Sequence, residues 1–130
     1  MYPGSCDRYA FFMSEVRRVL IVDDNPCVRA TIRDVLEDLP LHYEECGDGG
    51  EVLACFEAFA PHWVLMDLRM PHVDGITATV ALRAAHPQAR VIVVSDHDQE
   101  DVRRAATRAG AVAYVAKRDL TELRRLLEEG

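Results

Sequence analysis

Basic charge is in deficit in this chain: 15 lysines and arginines stand against 22 aspartates and glutamates, for a formal net charge of −7. A field of that sign repels phosphodiester backbones and anionic headgroups, which argues against direct nucleic-acid binding or membrane adhesion through bulk electrostatics. No apolar run approaches the roughly 18 residues of a membrane span. Residues 1–16 contain Phe11-Phe12-Met13 but lack the basic start and the apolar core of roughly 7–15 residues that mark a secretory signal. Cysteine is sparse and unpatterned. Cys6, Cys27, Cys46 and Cys55 form no C-x-x-C pair and stand at no zinc-ligand spacing from a histidine, so neither a metal knuckle nor a disulfide framework is indicated. His42, His62, His72, His86 and His97 are scattered, which disfavours a histidine metal site. A reducing, cytoplasmic setting fits best.

What is present is ordinary globular material: 130 residues, 49% hydrophobic and 28% charged, enough for one domain with its own core. Residues 1–17, with Pro3, Gly4 and Ser5 and no clear period, read as a flexible extension, and Met13 is an alternative start. From residue 18 to residue 130, short apolar runs alternate with helical spacing. Val19–Val22 predicts a first strand, and Val28, Ile32, Val35, Leu36 and Leu39 share one face of the helix after it. Leu41–Cys46 is a weaker second strand, followed by a helix with Val52, Phe56 and Phe59 on one face. Trp63–Met66 predicts the third strand, and Ile76, Val80 and Ala84 mark the helix after Asp74-Gly75. Val91–Val94 and Val112–Ala116 predict strands four and five. Between them Val102, Ala105, Ala106 and Ala109 form a helical face that Gly110 ends, and Leu120, Leu123 and Leu127 make a final amphipathic helix. Such alternation implies an α/β fold: a five-stranded parallel, doubly wound sheet of flavodoxin-like order 2-1-3-4-5 with helices on both faces.

In that order the ligand crevice lies beyond the carboxyl ends of the strands, between strands one and three. Those strands end in Asp23-Asp24 and in Asp67; strand four ends in Ser95 and strand five leads into Lys117. Three carboxylates on one rim suit a hard divalent cation, because crowded acids stay ionised together only beside positive charge. A hydroxyl and an ammonium on the same rim suit phosphoryl oxygens. Each residue also has a plainer reading: Asp23-Asp24 before Pro26 can cap a helix, Asp67 can hold a turn, and a lone lysine is usually solvated. Taken singly, these readings leave the convergence on one rim unexplained.

On these residues the chain resembles the receiver domain of two-component response regulators, over about residues 18–130. The matching features are Asp23-Asp24 after a hydrophobic strand, Met66-Asp67-Leu68-Arg69-Met70-Pro71 with Asp74-Gly75 following, Ser95, and Ala109-Gly110-Ala111 leading to Tyr114 and Lys117. The last spacing, with Arg118 after the lysine, resembles the NarL/FixJ-type branch, whose members commonly carry a C-terminal helix-turn-helix. The resemblance implies that Asp67 is the phosphoacceptor. It also implies that Asp24, Asp67 and the main-chain carbonyl of Arg69 hold magnesium (Mg2+), or Mn2+ in its place, with Asp23 acting through water. Ser95 and Lys117 would contact the phosphoryl group, and Tyr114 would turn inward when Ser95 moves. Two positions depart from the family pattern. Arg118 stands where many receivers carry proline, so the usual cis peptide is not expected. Asp96 replaces the small residue usual after the switch hydroxyl and, with Arg69 and His97, is expected at the pocket edge, where its charge would slow phosphorylation.

The resemblance also implies a function. The chain would take a phosphoryl group from a sensor histidine kinase or phosphotransfer protein and switch the surface of the last two helices and strand five, a surface that allows a homodimer. It would not be a turnover enzyme; its chemistry would be magnesium-dependent self-phosphorylation and self-dephosphorylation. Arg103, Arg104, Arg108, Arg124, Arg125, Glu128 and Glu129 are most simply solvated helix faces, and the resemblance would make them partner surface. Two other functions compete. A phosphatase with an aspartate nucleophile needs a second acid two residues on, where Arg69 stands. A degenerate receiver, binding protein partners without phosphate, is opposed by the three acids and Lys117 and kept open by Asp96.

Overall fold

The computed structural model describes residues 16–97 and 99–129. Strands and helices alternate along the chain: β1 (Arg17–Val22), α1 (Pro26–Val35), β2 (Leu41–Cys46), α2 (Val52–Phe59), β3 (Trp63–Met66), α3 (Gly75–Ala85), β4 (Val91–Ser95), α4 (Glu100–Ala109), β5 (Ala113–Ala116) and α5 (Leu120–Glu129). Short 3-10 turns precede α2 and α5. The expected extension over residues 1–17 lies outside the described residues except at its end, where Arg17 already belongs to β1 and pairs with Leu41.

All four strand pairings are parallel, and the sheet order is β2-β1-β3-β4-β5. This is the doubly wound arrangement expected from the sequence. Strand side chains alternate between two cores, as a period of two requires. Leu20, Val22, Val64, Met66, Val91 and Val93 pack with Val52 of α2, Leu82 of α3 and Ala106 of α4. Val19, Ile21, Leu65, Ile92, Val94 and Val115 pack with Ile32 of α1 and with Leu123 and Leu127 of α5. Burial on both faces explains why β1, β3 and β4 read as unbroken apolar runs.

Local chemistry sets the element ends. Asn25 is the N-cap of α1, its side chain accepting from the Cys27 amide at 2.9 Å, and Pro26 opens the helix. The cap is therefore Asn25, and the capping role open to Asp23-Asp24 is not the one they take. Asp74 caps α3 by accepting from Thr77 N at 2.9 Å. Gly110 ends α4 in the left-handed region at φ 109°, where a side chain would be strained.

The inward face of α3 differs from the expected one. Val80 is 51% exposed and Ala84 is exposed, whereas Gly75, Ala78, Thr79 and Leu82 are buried and Ile76 is half-buried. Thr79 satisfies its hydroxyl within the helix, donating to Gly75 O at 2.7 Å, so a polar residue can face the core and small neighbours let the helix lie close to the sheet. β5 also starts one residue late: Val112 is 56% exposed, although its amide still donates to Val91 O.

Candidate functional site

The carboxyl ends of β1, β3, β4 and β5 enclose a cavity of about 370 Å³ lined by Asp23, Asp24, Asn25, Asp67, Arg69, Ser95, Asp96, His97 and Lys117. Backbone pairing carries the acids past the ends of their strands. Asp23 N donates to Cys46 O at 3.0 Å and Asp67 N donates to Val22 O at 2.8 Å, so both Asp23 and Asp67 are held by the ladder itself. The Asp23 side chain accepts from Asn25 N at 2.9 Å, tightening the turn into α1.

Asp23 and Asp67 are buried, at 2% and 5% exposure, while Asp24 is exposed. Lys117 Nζ lies 3.0 Å from a carboxylate oxygen of each buried acid. Burial pushes the Asp67 carboxyl above its usual range; the Lys117 hydrogen bond opposes this and the charge of Asp23 adds to it. Burial alone would lower the Lys117 ammonium, but hydrogen bonds to Asp23 and Asp67 outweigh it and raise its pKa. One shared cation thus stays firmly protonated without fully offsetting the burial of Asp67.

The remaining expected residues sort into two groups. Ser95 is buried at the end of β4, its Oγ accepting from the His97 amide at 3.1 Å, so the contribution of His97 here is made by its main chain. Arg69 and Asp96 are exposed at the mouth, and Asp96 also lines an adjoining groove with Cys27, Val28, Thr31, Lys117 and Leu120. Tyr114 does not line the cavity. It sits on β5 against α4, with the Arg103 guanidinium 4.6 Å from its ring centroid and a buried hydroxyl that has no hydrogen-bonding partner among the described residues. The Lys117–Arg118 peptide is trans.

Gly75 was singled out from sequence only as part of the Asp74-Gly75 pair, and Arg29 was not singled out at all. Gly75 starts α3 so close to the acid loop that a β-carbon there would lie 2.0 Å from Asp67 O; Gly49 is likewise pressed against Val73 O, at 2.3 Å. Arg29, five residues after Asp24, reaches back to the main-chain carbonyl of Asp23. A half-buried arginine on a helix face carries no sequence signal distinguishing it from a solvated one; the Asp-Gly pair at 74–75 did carry one, as a helix start.

Residues 19–128 match the family model for the response regulator receiver domain. The chain belongs to that family. Among relatives of this receiver, the chemotaxis protein CheY of Halobacterium salinarum is 33% identical over 101 residues, covering 78% of this chain and 84% of that protein. The uncharacterized transcriptional regulatory protein YxjL of Bacillus subtilis is 34% identical over 108 residues, covering 81% of this chain but only 49% of YxjL. This chain therefore spans about half the length of that regulator. Among solved structures, a LuxR-family response regulator from Aurantimonas superposes with a TM-score of 0.83 at 33% identity, covering 88% of this chain and 84% of that one. The receiver domain of NarL from Mycobacterium tuberculosis does so with 0.80 at 28% identity, covering 88% and 95%.

Receiver domains bind Mg2+ at an acidic pocket, and the donor set here fits such an ion. Asp23, Asp24 and Asp67 each offer a carboxylate oxygen, and these atoms lie within 4.8 Å of one another. They are hard oxygens on a rim open to water on one side, which suits a small dication that keeps part of its hydration shell.

Proposed function

We propose that this receiver accepts a phosphoryl group on Asp67 from a sensor histidine kinase or phosphotransfer protein. What supports the reading is the 3.0 Å pairing of Lys117 Nζ with both buried acids, Asp23 and Asp67, beside Asp24. A carboxylate oxygen of Asp67 attacks phosphorus, the bond from phosphorus to the donor's imidazole nitrogen breaks, and that nitrogen leaves with the electron pair and takes up a proton. Asp24, Asp67 and the carbonyl of Arg69 would hold magnesium, with Asp23 acting through water. When bound, the ion supplies positive charge for the added group, which carries about −1.5 to −2 at neutral pH.

Lys117 and Ser95 then hold phosphoryl oxygens, as charge-assisted and neutral donors. Ser95 can do this with its O–H while its Oγ still accepts from the His97 amide, so turning the hydroxyl toward the phosphoryl group also draws on the backbone at residue 97. Tyr114, with its unpartnered hydroxyl two residues before the end of β5, reports that movement to the α4–β5–α5 face, where a partner or a second copy docks. The chemistry is self-phosphorylation and slow self-hydrolysis rather than turnover of a substrate. In the proposed cytoplasmic setting, thiols such as Cys27, Cys46 and Cys55 remain reduced.

The test is labelling by a small phosphodonor, with and without magnesium. The parent should acquire a base-labile label that needs the metal, and a folded Asp67→Asn variant should acquire none. Labelling of that variant would place the acceptor elsewhere. A parent that stays unlabelled yet binds its partner would favour a phosphate-independent module, a reading that the exposed carboxylate of Asp96 at the cavity mouth supports.

A further inference from the structure

The acidic cluster is held from behind by a second, differently built network. Arg29, on α1, is 19% exposed at its side chain. Its Nη1 donates to the main-chain O of Asp23 at 2.5 Å, and its Nε donates to Glu45 Oε1 at 2.6 Å. Glu45, on β2, is held a second time by Arg33 Nη1, which reaches Oε2 at 2.7 Å. The two arginines hold the Glu45 carboxyl below its usual range against the opposing effect of burial, so the carboxylate persists as an anchor. Gly47 leaves room beside the guanidinium: a β-carbon there would stand 3.6 Å from Nη1.

The consequence lies in the peptide between the two acids. The carbonyl of Asp23 and the amide of Asp24 belong to one planar unit, so whatever grips that carbonyl sets the direction in which Asp24 leaves the strand. On its other side, the Asp23 amide is already held by Cys46 O at 3.0 Å. Asp24 itself is exposed and has no buried packing to orient it. Resting on the receiver reading given above, we propose that Arg29 is a positioning residue for the magnesium site, holding the Asp23–Asp24 peptide so that the Asp24 carboxylate faces Asp67.

Electrostatics and positioning predict opposite signs, which makes the inference testable. An arginine near three acids repels an incoming dication, so if charge were its whole effect, Arg29→Ala would tighten magnesium binding. If Arg29 positions Asp24, the substitution weakens binding by roughly tenfold, as is usual when the outer partners of metal ligands are lost.

We would measure the magnesium dissociation constant by calorimetry for the parent, Arg29→Ala, Arg29→Lys and Arg33→Ala. In the metal-free proteins, exchange of the Asp24 and Asn25 amides would be followed by NMR. The expected outcome is weaker binding and faster exchange in Arg29→Ala. Arg29→Lys should fall between it and the parent, because one ammonium cannot reproduce the fork. Arg33→Ala removes the same charge without touching Asp23 and should bind as the parent does. Unchanged or tighter binding in Arg29→Ala would overturn the inference, as would equal weakening in Arg33→Ala. If Arg29→Ala does not fold, Arg29→Lys decides on the same readouts. A parent that binds no magnesium would instead strike at the receiver reading itself.

Discussion

At Asp67 two effects oppose each other: burial between Met66 and Leu68 disfavours the carboxylate, while Lys117 favours it, and burial prevails. A raised pKa means that the proton is held to higher pH than on an exposed aspartate. In the metal-free protein, the Asp67 carboxyl followed by carbon-13 NMR should therefore keep its proton to higher pH than an ordinary aspartate. A titration midpoint at the usual 3.8 would contradict this. The stability linkage has the same origin. A group with a raised folded pKa stabilises below its unfolded value, and that contribution is lost as pH rises through the folded one. Ionised Asp67 thus costs stability at pH 7, and Asp67→Asn should unfold later there by about 1 kcal/mol, roughly 4 °C in a domain of this size, with the gap narrowing in acid. Asp96 acts at longer range. Two unit charges about 5 Å apart repel by roughly 1 kcal/mol in water and about 3 kcal/mol at an effective dielectric of 20. Asp96→Ala should accordingly speed phosphorylation at fixed magnesium, and a rate equal to the parent's would show that this exposed carboxylate is screened.

The helices differ in how much of their placement the side chains announce. The inward face of α5 was legible because Leu120, Leu123 and Leu127 recur on one side of it, Leu123 and Leu127 being buried and Leu120 partly buried against the same core. α3 was misphased because its inward face is made of small or self-satisfied residues, Gly75, Ala78 and Thr79, around a single large one, Leu82. Substitutions should separate the two faces. Val80→Lys should change stability by no more than about 0.5 kcal/mol. Leu82→Ala, at 0% exposure, should cost about 2–5 kcal/mol in chemical denaturation. A large loss at Val80 would mean that this side of α3 is covered. The acid, hydroxyl and lysine positions were legible for a different reason. Strand ends in a parallel sheet share one rim, so polar residues closing apolar runs must converge. Arg29 was not legible, because its partner within the site is a main-chain atom, which carries no residue identity, and its side-chain partner Glu45 lies 16 residues away on β2.

Across the whole receiver, the cavity spans the ends of β1, β3, β4 and β5 and reaches the α4–β5–α5 face through β4 and β5, which pair from Ile92–Ala113 to Ser95–Ala116. Occupation of the phosphoryl site by beryllium fluoride should change amide exchange over residues 99–129 and leave α2 largely unaffected; unchanged exchange and sedimentation would argue for a silent receiver. The glycines at 49 and 75 bear on where such a change can travel. At both, backbone meets backbone with no room for a single carbon, which presses the loop close at Val73 and at Asp67–Leu68. The opposite side is built differently: Asp96 is exposed, and Gln99 starts α4 with no side-chain cap bond. A group that swells the pocket is therefore expected to displace the α4 side before the α3 side, so that the tight glycine contacts act as an anvil for the switch.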